Sequence, residues 1–424
     1  MRRNARIVGR PEAASGPRPQ GAASTAGGEE PATGSRPQRA ARAAGGEGAA
    51  PRPPRATRVQ GGTLALPALR DAAAAASVGG AADAAHQALA AGGSAVDAVV
   101  AGFFAAAGLD AGVLLGAAAA IVGNAGSGVR AFDGRPLQPG KGAPRPRGFV
   151  EGVPVPDAAR IAVPRSVPML MLLHAYGGRA SLSTLARYGA EAASSVGAKT
   201  RAKVLRRVGA AGPLGLRTEG VHDALLAAGN SVAGGSLTEA DLDSVLPADA
   251  DGRTLGGGES GASISVWPWA GEGAIDVDPG WIVDVITAAD ARGGVAAFAY
   301  AHQERGVALP GVELAAPIVA VPVRRGVTRV TPGAELQAPA PIGIVRVGRE
   351  LALSFGLAGG WARGDGALFT EALDVSAFAG LAEGGAVETA LASLARANGG
   401  ARSIAAVRSP RSTRAAVVLP DVTG

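Results

Sequence analysis

Apolar positions along this chain change their spacing partway through. In "GAADAAHQALAAGGSAVDAVVAGFF", from Gly80, they follow helical spacing through Ala85 and Leu89, break at Gly92-Gly93, and resume after Ser94, whose hydroxyl suits an N-cap. Residues 98–122, "AVVAGFFAAAGLDAGVLLGAAAAIV", are long enough to span a bilayer. Their Ala and Gly content inserts weakly, however, and Asp110 near the centre would cost roughly 2.5–3.5 kcal/mol on the insertion scale. The run therefore reads as two buried elements broken at "GLDAG", and no transmembrane helix is expected. Two helices joined at Gly177-Gly178 are predicted from "SVPMLMLLHAYGGRASLSTLARYGAEAASSVG", with Ser181 or Ser183 capping the second. In "SLTEADLDSVL" a helix starts after Ser236 or Thr238, ahead of acidic first-turn residues.

Beyond this point the pattern turns to short apolar runs: "ASISVWPW", "IVDVITAA", "GVAAFAYA", "APIVAVPV", "PIGIVRV" and "ELALSFGLA". Such runs, bounded by Gly and Pro, point to strands buried on both faces. Helices return at "AVETALASLARA". Helices first and strands later imply an α/β (α+β) fold in which sheets lie between helical layers.

Composition changes this picture only at the N-terminus. Residues 1–58 hold eleven Arg against four Glu, a net +7, while the whole chain is +6, so the remainder is −1. This Arg-, Pro-, Ala- and Gly-rich tail has almost no large apolar side chain to offset its ordering entropy and is expected to be disordered. The globular part has no electrostatic footprint for nucleic acid; only the tail offers one. No apolar h-region follows "MRRNARIVGR", so no export signal is read and a cytoplasmic location is expected, or a periplasmic one if the start codon is misassigned. The chain has no Cys, which excludes disulfides and thiolate chemistry. His86, His174, His222 and His302 show no HxxxH or HExxH spacing, so neither a metal site nor any cofactor is expected.

A resemblance emerges at "LAAGGSAVDAVVAGFF", which is similar to the "GGNAVDAAVA" signature of the gamma-glutamyltranspeptidase family of N-terminal-nucleophile hydrolases. Further segments follow in the family's order. "AFDGRPLQP" resembles its arginine-bearing "AIDFREMAP", "AVPRSVPM…AYG" its "GTPGTVAG…KYG", and "LTEADL" its "LTxxDL". "ISVWPWAGEG" is similar to "VYSMPPPSSGG", "TAADARGGVAAFAYA" to the "SVVDxDGNAVAVTYT" hairpin, "QAPAPIGIV" to "SSMSPTIV", and "GLAGG" to the oxyanion-forming "GSPGG". The resemblance spans roughly residues 60–360 and implies an αββα four-layer sandwich. It implies that residues 59–280 correspond to the large subunit and 281–424 to the small, nucleophile-bearing one, packed together as one domain. In the family a threonine released by self-cleavage attacks gamma-glutamyl compounds such as glutathione.

That threonine falls at Val283, which cannot be a nucleophile. The threonine after it falls at Asp284, the two supporting hydroxyls at Ala299 and Ala301, and the asparagine beyond them at Gln303. The aspartate that holds the substrate's amine falls near Val319 or Ala320, and the serines that hold its carboxylate at Gln337 and Ala338. What the resemblance leaves is Arg135, to clasp a small carboxylate or gamma-glutamyl compound, and Gly359 and Gly360, whose N–H groups could face an anion. The expectation is a member that has lost catalysis and serves a binding or structural role. An alternative is an active hydrolase or transferase with a displaced nucleophile, Thr287 first, then Ser263 or Ser265. A further alternative is an interaction protein acting through its basic arm. A homo-oligomer or a protein partner remains open.

Overall fold

Ser94 closes the Gly92-Gly93 break as its sequence position predicts. The computed structural model describes residues 69, 71–124, 127–144, 146–250, 252–256, 262–267, 280–304, 306–347, 351–361, 387–397, 402–408 and 413–418. The expected tail, 1–58, lies outside them. The chain divides into two units, Met1–Pro54 and Arg55–Gly424, and every described residue belongs to the second.

Helix α1 (Gly79–Ala90) precedes Ser94, and α2 (Ala95–Leu109) follows it. The Ser94 Oγ accepts the Asp97 N–H at 3.0 Å while Asp97 Oδ2 accepts the Ser94 N–H at 2.8 Å, a reciprocal cap that satisfies two orphan donors. The same carboxylate accepts the N–H groups of Arg179 and Ala180, fixing the link between α3 (Ser166–Gly177) and α4 (Leu182–Ser195). Ser181 caps α4. Helix α2 is buried nearly all round and ends at Leu109, within the expected "GLDAG" break. It crosses α4 so closely that a Cβ on Gly108 would stand 2.2 Å from the Gly189 carbonyl oxygen. Then come α5 (Lys199–Ala211), α6 (Leu214–Thr218), α7 (Val221–Gly229) and α8 (Glu239–Asp243), the last capped by Thr238. Among the described residues no helix is long and apolar enough to cross a membrane.

The strands pair antiparallel throughout two leaves. In the first the order is β4 (Ala248–Ala250), β3 (Ser127–Gly134), β2 (Ala117–Asn124), β8 (Gly294–Gln303), β7 (Trp281–Ala289), with β1 (Ala73–Ala76) on the far edge of β7. In the second it is β5 (Arg253–Gly256), β6 (Ala262–Val266), β11 (Ile342–Val347), β12 (Leu351–Trp361), β13 (Arg402–Arg408), β14 (Thr413–Val418). Short strands β9 (Val307–Leu309) and β10 (Leu314–Ala316) form a separate pair. The leaves share β12, whose last three residues leave the second leaf and pair with the first three of β7.

Strand periodicity explains the continuous apolar runs. Along β7 and β8, Ile286, Ala288, Phe298 and Tyr300 face α1, α2 and their neighbours, while Val283, Val285, Ala297 and Ala299 face the second leaf. Helix α9 (Val387–Ala397) lays Leu391 and Leu394 against the second leaf, so the layers run helix, sheet, sheet, helix. This is the αββα sandwich expected.

One expected strand does not form. Beyond Ala316, the last residue of β10, "APIVAVPV" at 316–323 makes only an isolated bridge at Ile318, because Pro317 and Pro322 remove two ladder donors. Three of its N–H groups find other acceptors: Ile318 donates to Gln303 Oε1, Ala320 to the Arg160 carbonyl and Val321 to Gln138 Oε1.

Candidate functional site

The hairpin joining β7 to β8 is set by Asp290. Its carboxylate accepts the N–H groups of Arg292 at 2.8 Å and Gly294 at 3.0 Å within the turn, and that of Ala95 at the N-terminus of α2 at 3.0 Å. A negative charge there also suits the positive end of the helix dipole. The hairpin is thereby pinned to the helical layer, and the register of β7 follows.

That register brings several predicted residues onto one line across the first leaf. Val283 stands opposite Ala301 on one side and Gly359 on the other, and Gly360 stands opposite Ile282. Ala301 is opposite Ala117, and since Gly134 pairs with Ala118, Arg135 lies one step beyond β3, level with Ala117. Arg135 and Val283 are thus three strands apart, about 14 Å at the usual inter-strand spacing. On the face toward the second leaf this line is apolar. Val283, Ala299 and Ala301 are each 1 % exposed, and Ala117 joins them in the same core.

Thr287 lies on the same face, four residues deeper and about 13 Å along the strand. It is wholly buried, and its Oγ1 reaches the Ala75 carbonyl at 3.5 Å, within the ladder between β1 and β7. Ser265 is also buried, in β6 of the second leaf, and Ser263 lies two residues before it. Neither Thr287 nor these serines joins the Val283 line. Asp284 points to the helical side, where Ser77 donates to its Oδ1 at 2.7 Å and in turn accepts the Val285 N–H at 3.0 Å. This closes the junction where β1 ends and β12 arrives. Tyr300 faces Asp284 across the ladder, and full burial, then the charges of Asp284 and Asp110, push its hydroxyl well above the usual tyrosine range.

Arg135 is engaged by an internal carboxylate. Its Nε and Nη2 donate to Asp133 at 2.8–3.1 Å, and its guanidinium lies over the Trp267 ring, 5.0 Å from the centroid. A second guanidinium, Arg165, reaches the same Asp133 Oδ2 at 2.6 Å and stands 3.4 Å from Glu335. Burial would raise the Asp133 carboxyl; the Arg135 hydrogen bond and the charges of Arg165 and Arg135 outweigh it and hold the group below the usual carboxylate range. Arg165 and Trp267 were not legible as site residues, because neither sits in a local motif that announces the contact. A cavity of about 220 Å³ lies elsewhere, lined by Phe149, Ser236 and Pro322 among others, and no residue of the Val283 line borders it.

Two antiparallel leaves between helical layers, with a hairpin strand meeting a Gly-Gly strand end, make up an αββα fold of the N-terminal-nucleophile hydrolase type. Solved structures agree on the fold. LmbA superposes with a TM-score of 0.59 at 16 % identity, covering 84 % of this chain and 98 % of that one. A cephalosporin acylase from Bacillus halodurans gives 0.58 at 14 % identity, over 88 % and 97 % of the two chains. A gamma-glutamyltranspeptidase from Pseudomonas nitroreducens gives 0.37 at 20 % identity over 50 % of this chain and 72 % of that one. No family model and no curated protein matches the sequence.

Proposed function

We propose that the chain keeps this hydrolase scaffold without its amide chemistry and serves a binding or structural role. The observation that carries the reading is Val283, an isopropyl group in register with Gly359 on one side and Ala301 on the other, with Ala299 opposite Val285 two residues along. Losing the nucleophile of a catalytic unit costs about a million-fold in turnover, and here the supporting hydroxyls are replaced as well. Thr287 is a poor substitute, since a wholly buried hydroxyl facing a backbone carbonyl reaches no substrate. Arg135 already has its fork filled by Asp133, so a small carboxylate or gamma-glutamyl compound would have to displace a buried internal ion pair and should bind weakly.

The test is the intact mass of freshly purified protein, with gamma-glutamyl-p-nitroanilide release measured on the same sample. A single full-length species without release above background is the expected result. Two fragments meeting at a Thr or Ser would overturn the reading and identify the new N-terminal residue as the nucleophile.

A further inference from the structure

Helix α5 carries five cations, Lys199, Arg201, Lys203, Arg206 and Arg207, and no acidic residue. This arrangement is unfavourable to the helix itself. Lys199 and Lys203, and Lys203 and Arg207, are like charges one turn apart, and first-turn cations oppose the helix dipole. Glu313 offsets part of this from outside, its Oε2 accepting the N–H groups of Thr200 at 2.8 Å and Arg201 at 3.2 Å. Arg201 turns inward and is buried; Lys199, Lys203, Arg206 and Arg207 are exposed. Among the described residues, Lys203 pairs with Glu219 at 2.8 Å and Arg207 Nε donates to Thr218 at 3.3 Å, but no carboxylate stands within ion-pair distance of Lys199, Arg206 or Arg207. The apolar side of α5, with Val204, Leu205 and Val208, is spent on the core, so the cationic side is what the helix presents. At the two ends of this segment, aliphatic side chains stand in solvent: Val196 is 41 % exposed and Leu214 60 %.

We propose that the segment from Val196 through α5 to Leu214 docks on an anionic phospholipid surface. Cations spaced along one face match a sheet of headgroup charges, while Val196 and Leu214 enter the boundary between headgroups and acyl chains. A nucleic acid would complement the charges through its phosphates and leave the two aliphatic side chains without a role, whereas a lipid surface takes up both. The docking is independent of the amide chemistry, because α5 shares no residue with the Val283 line.

The experiment compares the full chain with its Lys199→Gln/Arg206→Gln variant in co-sedimentation with phosphatidylcholine vesicles, with and without phosphatidylserine. Both proteins carry the Arg-rich tail, so its contribution to adsorption is common to both. Wild type is expected to bind only the anionic vesicles, and the variant to bind about 25-fold more weakly at low salt, from about fivefold per cation. Leu214→Ser should weaken vesicle binding while leaving its salt dependence unchanged. Unchanged melting temperatures would show that all three proteins are folded. Equal vesicle binding by wild type and the double variant would overturn the proposal. So would binding to an RNA oligonucleotide, reduced by the same substitutions, in the absence of vesicle binding.

Discussion

Val283→Thr places a hydroxyl where the resemblance puts the nucleophile, with almost no change of volume. Val283 is 1 % exposed and faces Ala299, Ala301 and the core between the leaves, so the new hydroxyl enters an apolar site. Burying an unpaired hydroxyl costs about 1–3 kcal/mol by protein mutational data. Val283→Ala, which removes two methyl groups and leaves a cavity, should cost about 2–3 kcal/mol and serves as the comparator. The urea midpoint, at constant slope, reads both values. With alanines where the resemblance puts the supporting hydroxyls, the Thr variant should remain one chain by intact mass and release no nitroanilide. Self-cleavage ahead of residue 283 with measurable turnover would refute the reasoning, because the remaining residues would then suffice for catalysis. A destabilisation below about 0.5 kcal/mol would refute the energetic part by showing that the hydroxyl finds a partner.

Three further outcomes follow from the geometry. Asp133→Asn leaves the Arg135 and Arg165 guanidiniums without their shared carboxylate and should cost about 3–5 kcal/mol, read as a fall in melting temperature. The Asp133 carboxyl is held low in the folded state, so its contribution is complete above about pH 4 and fades as pH falls through the depressed value; stability-versus-pH curves should show that acid limb in wild type and a shallower one in the Asn variant. Gly108→Ala forces α2 and α4 apart and should destabilise by about 1–3 kcal/mol or more in a urea titration. Asp290→Ala strips three backbone N–H groups of their acceptor and should cost about 3 kcal/mol, with faster amide exchange at Arg292 and Gly294 as the local signature.

Features set within a few residues were legible in the sequence. Ser94, Ser181 and Thr238 cap helices because a hydroxyl before a helical run meets N–H groups two or three residues on, whatever the rest of the fold does. The alternation of β7 and β8 was hidden, since alanines facing helices and alanines facing the second leaf look alike in the sequence. "APIVAVPV" misled because its apolar content outweighed two prolines, and its acceptors, Gln138 and Gln303, come from distant segments. At the candidate site, the resemblance singled out Val283 and the Gly-Gly turn as separate segments, and only the register shows Gly359 directly opposite Val283. The engagement of Arg135 by Asp133 could have been suspected from their spacing of two residues. The approach of Arg165 could not, as it depends on how α3 meets β3.

The sharing of β12 has a consequence for how the molecule comes apart. One unbroken strand belongs to both leaves, so parting the leaves requires breaking the ladder between β12 and β7 at Gly359–Trp361. The leaves are thus joined into a single cooperative unit in unfolding, with one transition for both sheets and the slowest-exchanging amides distributed across them.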